Sequence, residues 1–326
     1  YDTAYIGKWH LASDRLKGFG THCEKTAVPI EKQGGYKYWR GADVLEFTSH
    51  GYDGYVFDEN GNKIDFTGYR ADCINDFALE YIENHNNEKP FFVFISQLEP
   101  HHQNDRGHFE GPIESVEKYR DYPIPEDLSF LKGDYNEEYP DYLAAINRLD
   151  ENVGKLVNLL KEKDIYDNTV IIYTSDHGCH FKTRNVEYKR SCHDSCTHTP
   201  LVFGGGAVKK AENVSALVSL IDLPPTMLNI AGITIPDNYS GNVLPVNKTD
   251  VPERDCVFIQ ISESHIGRAV RTKNWKYSAK AIGSGSHKPD AKHYFDDFLY
   301  DLKNDPCEKN NLINDENYSK VIVQMR

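Results

Sequence analysis

Between residues 143 and 174 the chain carries a pattern that few folds accommodate. Ile146, Leu149, Val153, Leu156, Val157 and Leu160 recur at helical spacing through Leu143–Lys163. A β-branched and aromatic run, Thr169–Thr174, follows at once and stops at Ser175-Asp176-His177-Gly178, as a buried strand ends at a turn. Upstream, Ile74, Phe77, Ala78, Tyr81 and Ile82 give Asp72–Asn84 a helical face, and Pro90 then leads into the apolar run Phe91–Ser96. Strand, helix, strand in this order predicts a parallel pair joined by a right-handed crossover, hence an α/β fold. Open sheets of that class bind ligands at the carboxyl ends of their strands, so the residues leaving each strand carry the chemistry.

Three exits stand out. Tyr1–Ile6 reads as a strand leaving through Gly7-Lys8-Trp9-His10-Leu11, where i,i+2 spacing puts an ammonium and an imidazole on one side. The plainer alternative for any Lys-x-His is a solvated lysine and a packed histidine. After Phe91–Ser96 come Pro100-His101-His102, two imidazoles suited to proton transfer or metal ligation. Asp176-His177 is either a metal or catalytic corner or an ordinary polar turn. It is followed by Lys189-Arg190-Ser191-Cys192-His193-Asp194 and His198, a basic patch better read as an anion pocket because the protein around it is acidic.

That acidity is 37 basic against 50 acidic residues, a formal charge of −13, which argues against nucleic acid and anionic membrane as bulk partners. No run approaches the roughly 20 apolar residues of a membrane span. Seven cysteines form no C-x-x-C pair and their count is odd, so no zinc ribbon or complete disulfide framework is expected. Sequons at Asn213, Asn238, Asn247 and Asn317 are acceptors only in a eukaryotic secretory pathway. The chain opens at Tyr1 without Met or a leader-like segment, which predicts a fragment of a longer protein.

Leu16–Arg70 is rich in Gly, Tyr and Asp and reads as an elaborated loop region with short strands. Its Tyr, Trp and Asp residues suit sugar rings and hydroxyls, with packing inside the loop as the alternative. Leu201–Phe203 reads as a strand, Ala216–Ile221 as a strand or helix start, and Pro224–Ala231 as a helix. Beyond about Val251 the texture shifts to short strand candidates, Cys256–Ile261, Arg268–Arg271, Lys276-Tyr277 and Phe298–Leu302. The expected division is 1–250, a catalytic α/β domain, and 251–326, a small antiparallel C-terminal subdomain.

Taken together, these segments resemble the type I sulfatases of the alkaline phosphatase superfamily. The resemblance is carried by Tyr1-Asp2-Thr3-Ala4-Tyr5-Ile6-Gly7-Lys8-Trp9-His10-Leu11, Pro100-His101, Thr174-Ser175-Asp176-His177-Gly178, Lys189, His193-Asp194 and Pro200-Leu201. Asp222-Leu223-Pro224-Pro225-Thr226, Leu299-Tyr300-Asp301-Leu302, Asn304-Asp305-Pro306 and Asn310-Asn311-Leu312 extend it nearly end to end.

What the resemblance implies is an alkaline-phosphatase-like sandwich, a central mostly parallel sheet between helices, that hydrolyses a sulfate ester, with a sulfated carbohydrate as the expected substrate. It implies a formylglycine nucleophile made from Cys or Ser by a formylglycine-generating or sulfatase-maturing enzyme, beside one Ca²⁺. It places Asp176 and His177 at the metal, Lys8, His101 and Lys189 on the sulfate, and His10 at the formylglycine hydroxyl. His177 stands where many members have Asn; imidazole is a poorer Ca²⁺ ligand, so the alternative is a contact to the nucleophile or to sulfate. His198 stands where Arg is usual. None of Cys23, Cys73, Cys179, Cys192, Cys196, Cys256 or Cys307, and no Ser, begins a C/S-x-P-S-R motif, and the early acidic metal ligands are absent too. A periplasmic or secreted location accompanies this reading. Its alternatives are a phosphonate monoester or phosphodiester hydrolase of the same superfamily and a non-catalytic anion-binding homologue.

Overall fold

The structure, a computed structural model, describes residues 1–13, 22–208, 212–246, 253–283 and 290–326. The sequon at Asn247, the expected boundary near Val251 and the start of the 16–70 region lie outside these. The described chain gathers into two compact units, residues 1–123 with 136–169 and residues 124–135 with 170–326.

The first unit is built on a five-stranded mixed sheet in the order β4-β3-β2-β1-β5, with β1 Asp2–Lys8, β2 Tyr38–Ala42, β3 Tyr52–Asp58, β4 Lys63–Tyr69 and β5 Phe91–Ser96. β1 runs parallel to both β2 and β5, while β2, β3 and β4 form an antiparallel meander. Side chains of β1 alternate between two cores, as a pleated strand covered on both faces requires. Ile6 packs with Ala42, Leu45, Val56, Phe66, Ile74, Ala78 and Leu98, the last helical pair coming from Arg70–Asn84. Tyr5 faces the other way onto Trp39 and Phe94, its register partners on β2 and β5, with ring centroids 5.0 and 5.5 Å away. Gly7 has φ +110°, and a Cβ there would run into the Ser96 carbonyl oxygen. Only glycine lets β1 turn outward this close to β5.

The 16–70 region supplies three strands of the main sheet; Trp39 is fully buried and Tyr69 nearly so, while Tyr36, Tyr38, Tyr52 and Tyr55 are half-buried. Packing therefore accounts for Trp39 and Tyr69. The long helix spans Tyr135–Glu162, eight residues earlier than periodicity suggests, because Pro140 lies within it. Pro140 is the sixth residue of the helix, so it leaves the Asn136 carbonyl without its intrahelical donor, a cost set against the burial of Tyr139 and Pro140.

In the second unit β6, Ile171–Thr174, pairs antiparallel with β7, Leu201–Gly204. The partners thus differ from the parallel pair suggested by chain order, since β5 bonds to β1 and β6 to β7. A four-stranded antiparallel sheet follows, β11-β10-β9-β8, from β8 Cys256–Ile261, β9 Gly267–Thr272, β10 Trp275–Ala281 and β11 Tyr294–Asp301. One face carries Tyr277 and Leu299 under Ile322 and Met325 of the helix Ser319–Met325. The other carries Ile261 and Ala269 against Cys192. Of 216–221, only the turn at Leu220–Asp222 is helical, running into the helix Leu223–Ile230. None of the seven cysteines is in a disulfide.

Candidate active site

In the first unit, parallel pairing of β1 and β5 brings two of the sequence-selected exits to one end of the sheet. Lys8 closes β1, and its ammonium lies 2.9 Å from Glu46 Oε1, a carboxylate on the helical turn Leu45–Thr48 that follows β2. Glu46 is only 4% exposed, so the lysine, not water, balances its charge. Fully buried Asp43 shapes the turn beyond: its Oδ1 accepts from the amides of Leu11 and Ala12 at 3.0 and 2.9 Å, and its carbonyl from His10 N at 2.7 Å. His10 itself is exposed, with φ +55°.

His101 leaves β5 after a cis Glu99-Pro100 bond. Its Nδ1 lies 2.6 Å from the His102 carbonyl, an oxygen that only accepts, so Nδ1 carries the proton and Nε2 is the basic nitrogen of the neutral ring. His102 is 6% exposed and packs edge-on against Phe109, a core residue rather than a second functional imidazole. Beneath, the buried Arg70–Glu99 pair at 2.8 Å connects through Gln103, which accepts from Arg70 at 3.2 Å and donates to the Glu46 carbonyl at 3.0 Å. One polar network thus underlies both exits.

In the second unit, β6 delivers Asp176 and His177. Gly178 is pinned by its amide to the Cys196 carbonyl at 2.8 Å, and a Cβ there would strike the Ser195 carbonyl. His177 Nδ1 is 2.9 Å from the Gly178 carbonyl and so carries the proton; Nε2 accepts from the Lys189 ammonium at 3.2 Å. Burial lowers the basicity of His177, Asp176 opposes this, and Lys189 and Arg190 add to it. An imidazole nitrogen accepting from an ammonium does not bind a cation at the same time. Asp176 has an 82% exposed side chain, and among the described residues no three His, Cys, Asp or Glu are grouped to hold a metal ion. Against the six to eight oxygens Ca²⁺ takes, these residues do not fit as a calcium site by themselves.

Behind Lys189 lies support that the sequence reading missed. His180 is fully buried, and Arg184 donates to the carbonyls of Cys307 and Glu308 at 3.2 and 3.0 Å. Glu308 Oε2 accepts from Asp194 N at 2.7 Å, and buried Lys276 pairs with both acids. His193 sits between Ser191 Oγ and Tyr300 Oη, each at 3.1 Å. No local spacing signals such partners, because up to 124 residues separate them in sequence.

Residues 1–233 match the sulfatase family and residues 185–326 the family described as N-sulphoglucosamine sulphohydrolase, C-terminal. The chain belongs to the sulfatase family. It is 25% identical to the N-acetylglucosamine-6-O-sulfatase of Bacteroides thetaiotaomicron, over 98% of this chain and 68% of that protein. It is 26% identical to the ulvan-active sulfatase of Formosa agariphila, over 96% of this chain and 60% of that protein. A solved structure in complex with its substrate D-glucosamine-2-N,6-O-disulfate shares the fold, with TM-score 0.73 and 23% identity over all of this chain and 78% of that one.

Proposed function

We propose that the protein hydrolyses a sulfate ester of a carbohydrate, releasing the alcohol and sulfate. The observation that carries this reading is the delivery, by the hydrogen-bonded parallel neighbours β1 and β5, of Lys8, His10 and His101 to one sheet end. Two relatives named for sugar sulfates support the carbohydrate class. In this reading Lys8, His101 and Lys189 bind the sulfate oxygens, where cations and donors favour the charge that builds as the bond to the leaving oxygen breaks. His10 and His177 hold or pass the proton that the leaving alcohol needs. The family's formylglycine, made by a maturing enzyme, would supply the hydroxyl for attack on sulfur. A periplasmic or secreted location is part of the same reading, and fractionation of producing cells tests it.

The decisive experiment is sulfate release by protein expressed from its complete reading frame together with a formylglycine-generating enzyme. Sulfated mono- and oligosaccharides are compared with an aryl sulfate and with a phosphodiester. Turnover of sulfated sugars is expected; preference for the phosphodiester, or no turnover of any sulfate, overturns the reading.

A further inference from the structure

His180 is absent from every motif considered above, yet its surroundings are specific. It is fully buried, three residues past His177 on the segment leaving β6. Its Nε2 lies 3.0 Å from the main-chain carbonyl of Lys189, and its Nδ1 lies 3.4 Å from the amide nitrogen of Arg184. A carbonyl only accepts and an amide N–H only donates, so one arrangement satisfies both: Nε2 carries the proton and Nδ1 the lone pair. The ring therefore closes the segment between 180 and 189 from inside. His180 N reinforces this by donating to the Tyr188 carbonyl at 2.8 Å. Lys189 is then fixed at both ends, its carbonyl by His180 and its ammonium against His177 Nε2 at 3.2 Å. Asn185 adds a longer contact, 3.4 Å from Nδ2 to the same carbonyl.

We infer that His180 is a positioning residue for Lys189, setting where the ammonium can meet an anion. The inference rests on the sulfatase reading for the identity of that anion. Lysine carries about four freely rotating side-chain bonds, so an ammonium placed by its backbone alone is diffuse. Two imidazoles, one on the carbonyl and one on the ammonium, narrow that distribution before substrate arrives. Burial holds His180 neutral, with the Arg184 charge acting in the same direction, so the donor faces Lys189 throughout the neutral range.

The test uses the complete, matured protein and reads both kcat/KM on a sulfated sugar and the affinity for inorganic sulfate by calorimetry. His180→Gln keeps an N–H at the reach of Nε2 and is expected to stay within about threefold of wild type. His180→Leu and His180→Asn cannot supply that donor and are expected to lose about tenfold to hundredfold in kcat/KM, as a displaced catalytic contact does. Asn keeps the site polar, so it carries the test if Leu does not fold. Acting through Lys189 also means that His180→Asn adds little in a Lys189→Ala background. Full additivity with Lys189→Ala, or wild-type kcat/KM in folded His180→Asn, overturns the inference while leaving the sulfatase reading intact. Wild-type protein that binds sulfate without turnover removes the sulfatase reading alone, and the sulfate affinities of the variants still decide His180. Protein that neither turns over nor binds sulfate overturns both.

Discussion

The ammonium of Lys276, with no exposed side-chain surface, lies 2.6 Å from the carboxylate of Glu308, itself 2% exposed. Asp194 completes the group as a second partner of the lysine, with Arg271 3.4 Å from the same Asp194 oxygen. Two acids share one fully desolvated cation, and breaking such a set by removing one partner strands charge in the interior. Lys276→Met is expected to cost about 3–5 kcal/mol of unfolding free energy, read by urea denaturation. A loss below about 1 kcal/mol would show that water or Arg271 balances the acids instead.

At Gly7 the backbone makes a comparable demand without charge. The left-handed φ and the approach of the Ser96 carbonyl leave no room for a methyl group. Gly7→Ala is expected to lose about 2–4 kcal/mol. Because Lys8 is the next residue, it also weakens sulfate-ester turnover beyond what stability alone explains. Full activity in folded Gly7→Ala would separate the β1–β5 contact from the placement of Lys8.

How much of this was legible beforehand follows from the range of the interactions. Strands β5 and β8 were readable to the residue, because six-residue runs rich in Phe, Val and Ile are too short for a helix and favour the extended chain. Lys8, His10, His101, Asp176, His177 and Lys189 were visible as polar exits from such strands. Their supports were not: Glu46 reaches Lys8 across 38 residues, and Glu308 reaches Asp194 across 114. Pairing that depends on tertiary closure leaves no periodic trace. The 16–70 region misled because Tyr, Gly and Asp are shared by loops and by twisted sheet meanders, and only burial of Trp39 and Tyr69 separates the two.

Lys8 and Glu46 allow stability and activity to be pulled apart. Lys8→Met removes the proposed sulfate contact and leaves the Glu46 carboxylate buried, so it is expected to lower both turnover and stability, the latter by about 3 kcal/mol. Adding Glu46→Gln removes the stranded charge. The double variant should regain most of the stability and none of the turnover. Recovery of turnover would mean that Lys8 serves only to neutralise Glu46.

His193 gives the pH dependence a sign. Burial, with help from Arg184, Lys276 and His180, pushes its pKa down to about 2, while Ser191 and Tyr300 occupy its two nitrogens and the Phe298 and Tyr300 rings cover it. In the unfolded chain the same ring takes a proton near pH 6.5. Below that value the unfolded state therefore binds more protons than the folded one, and stability falls as pH falls. The stabilisation is complete above about pH 6.5 and is lost at close to 1.4 kcal/mol per pH unit once well below it, from this residue alone. His177 and His180, also shifted down by burial, act in the same direction. Urea unfolding at pH 7.5, 6.5 and 5.5 should show the decline, and His193→Gln should be less stable at pH 7.5 yet lose less between 7.5 and 5.5, by about 1 kcal/mol. An equal decline in wild type and variant would place the titrating group elsewhere.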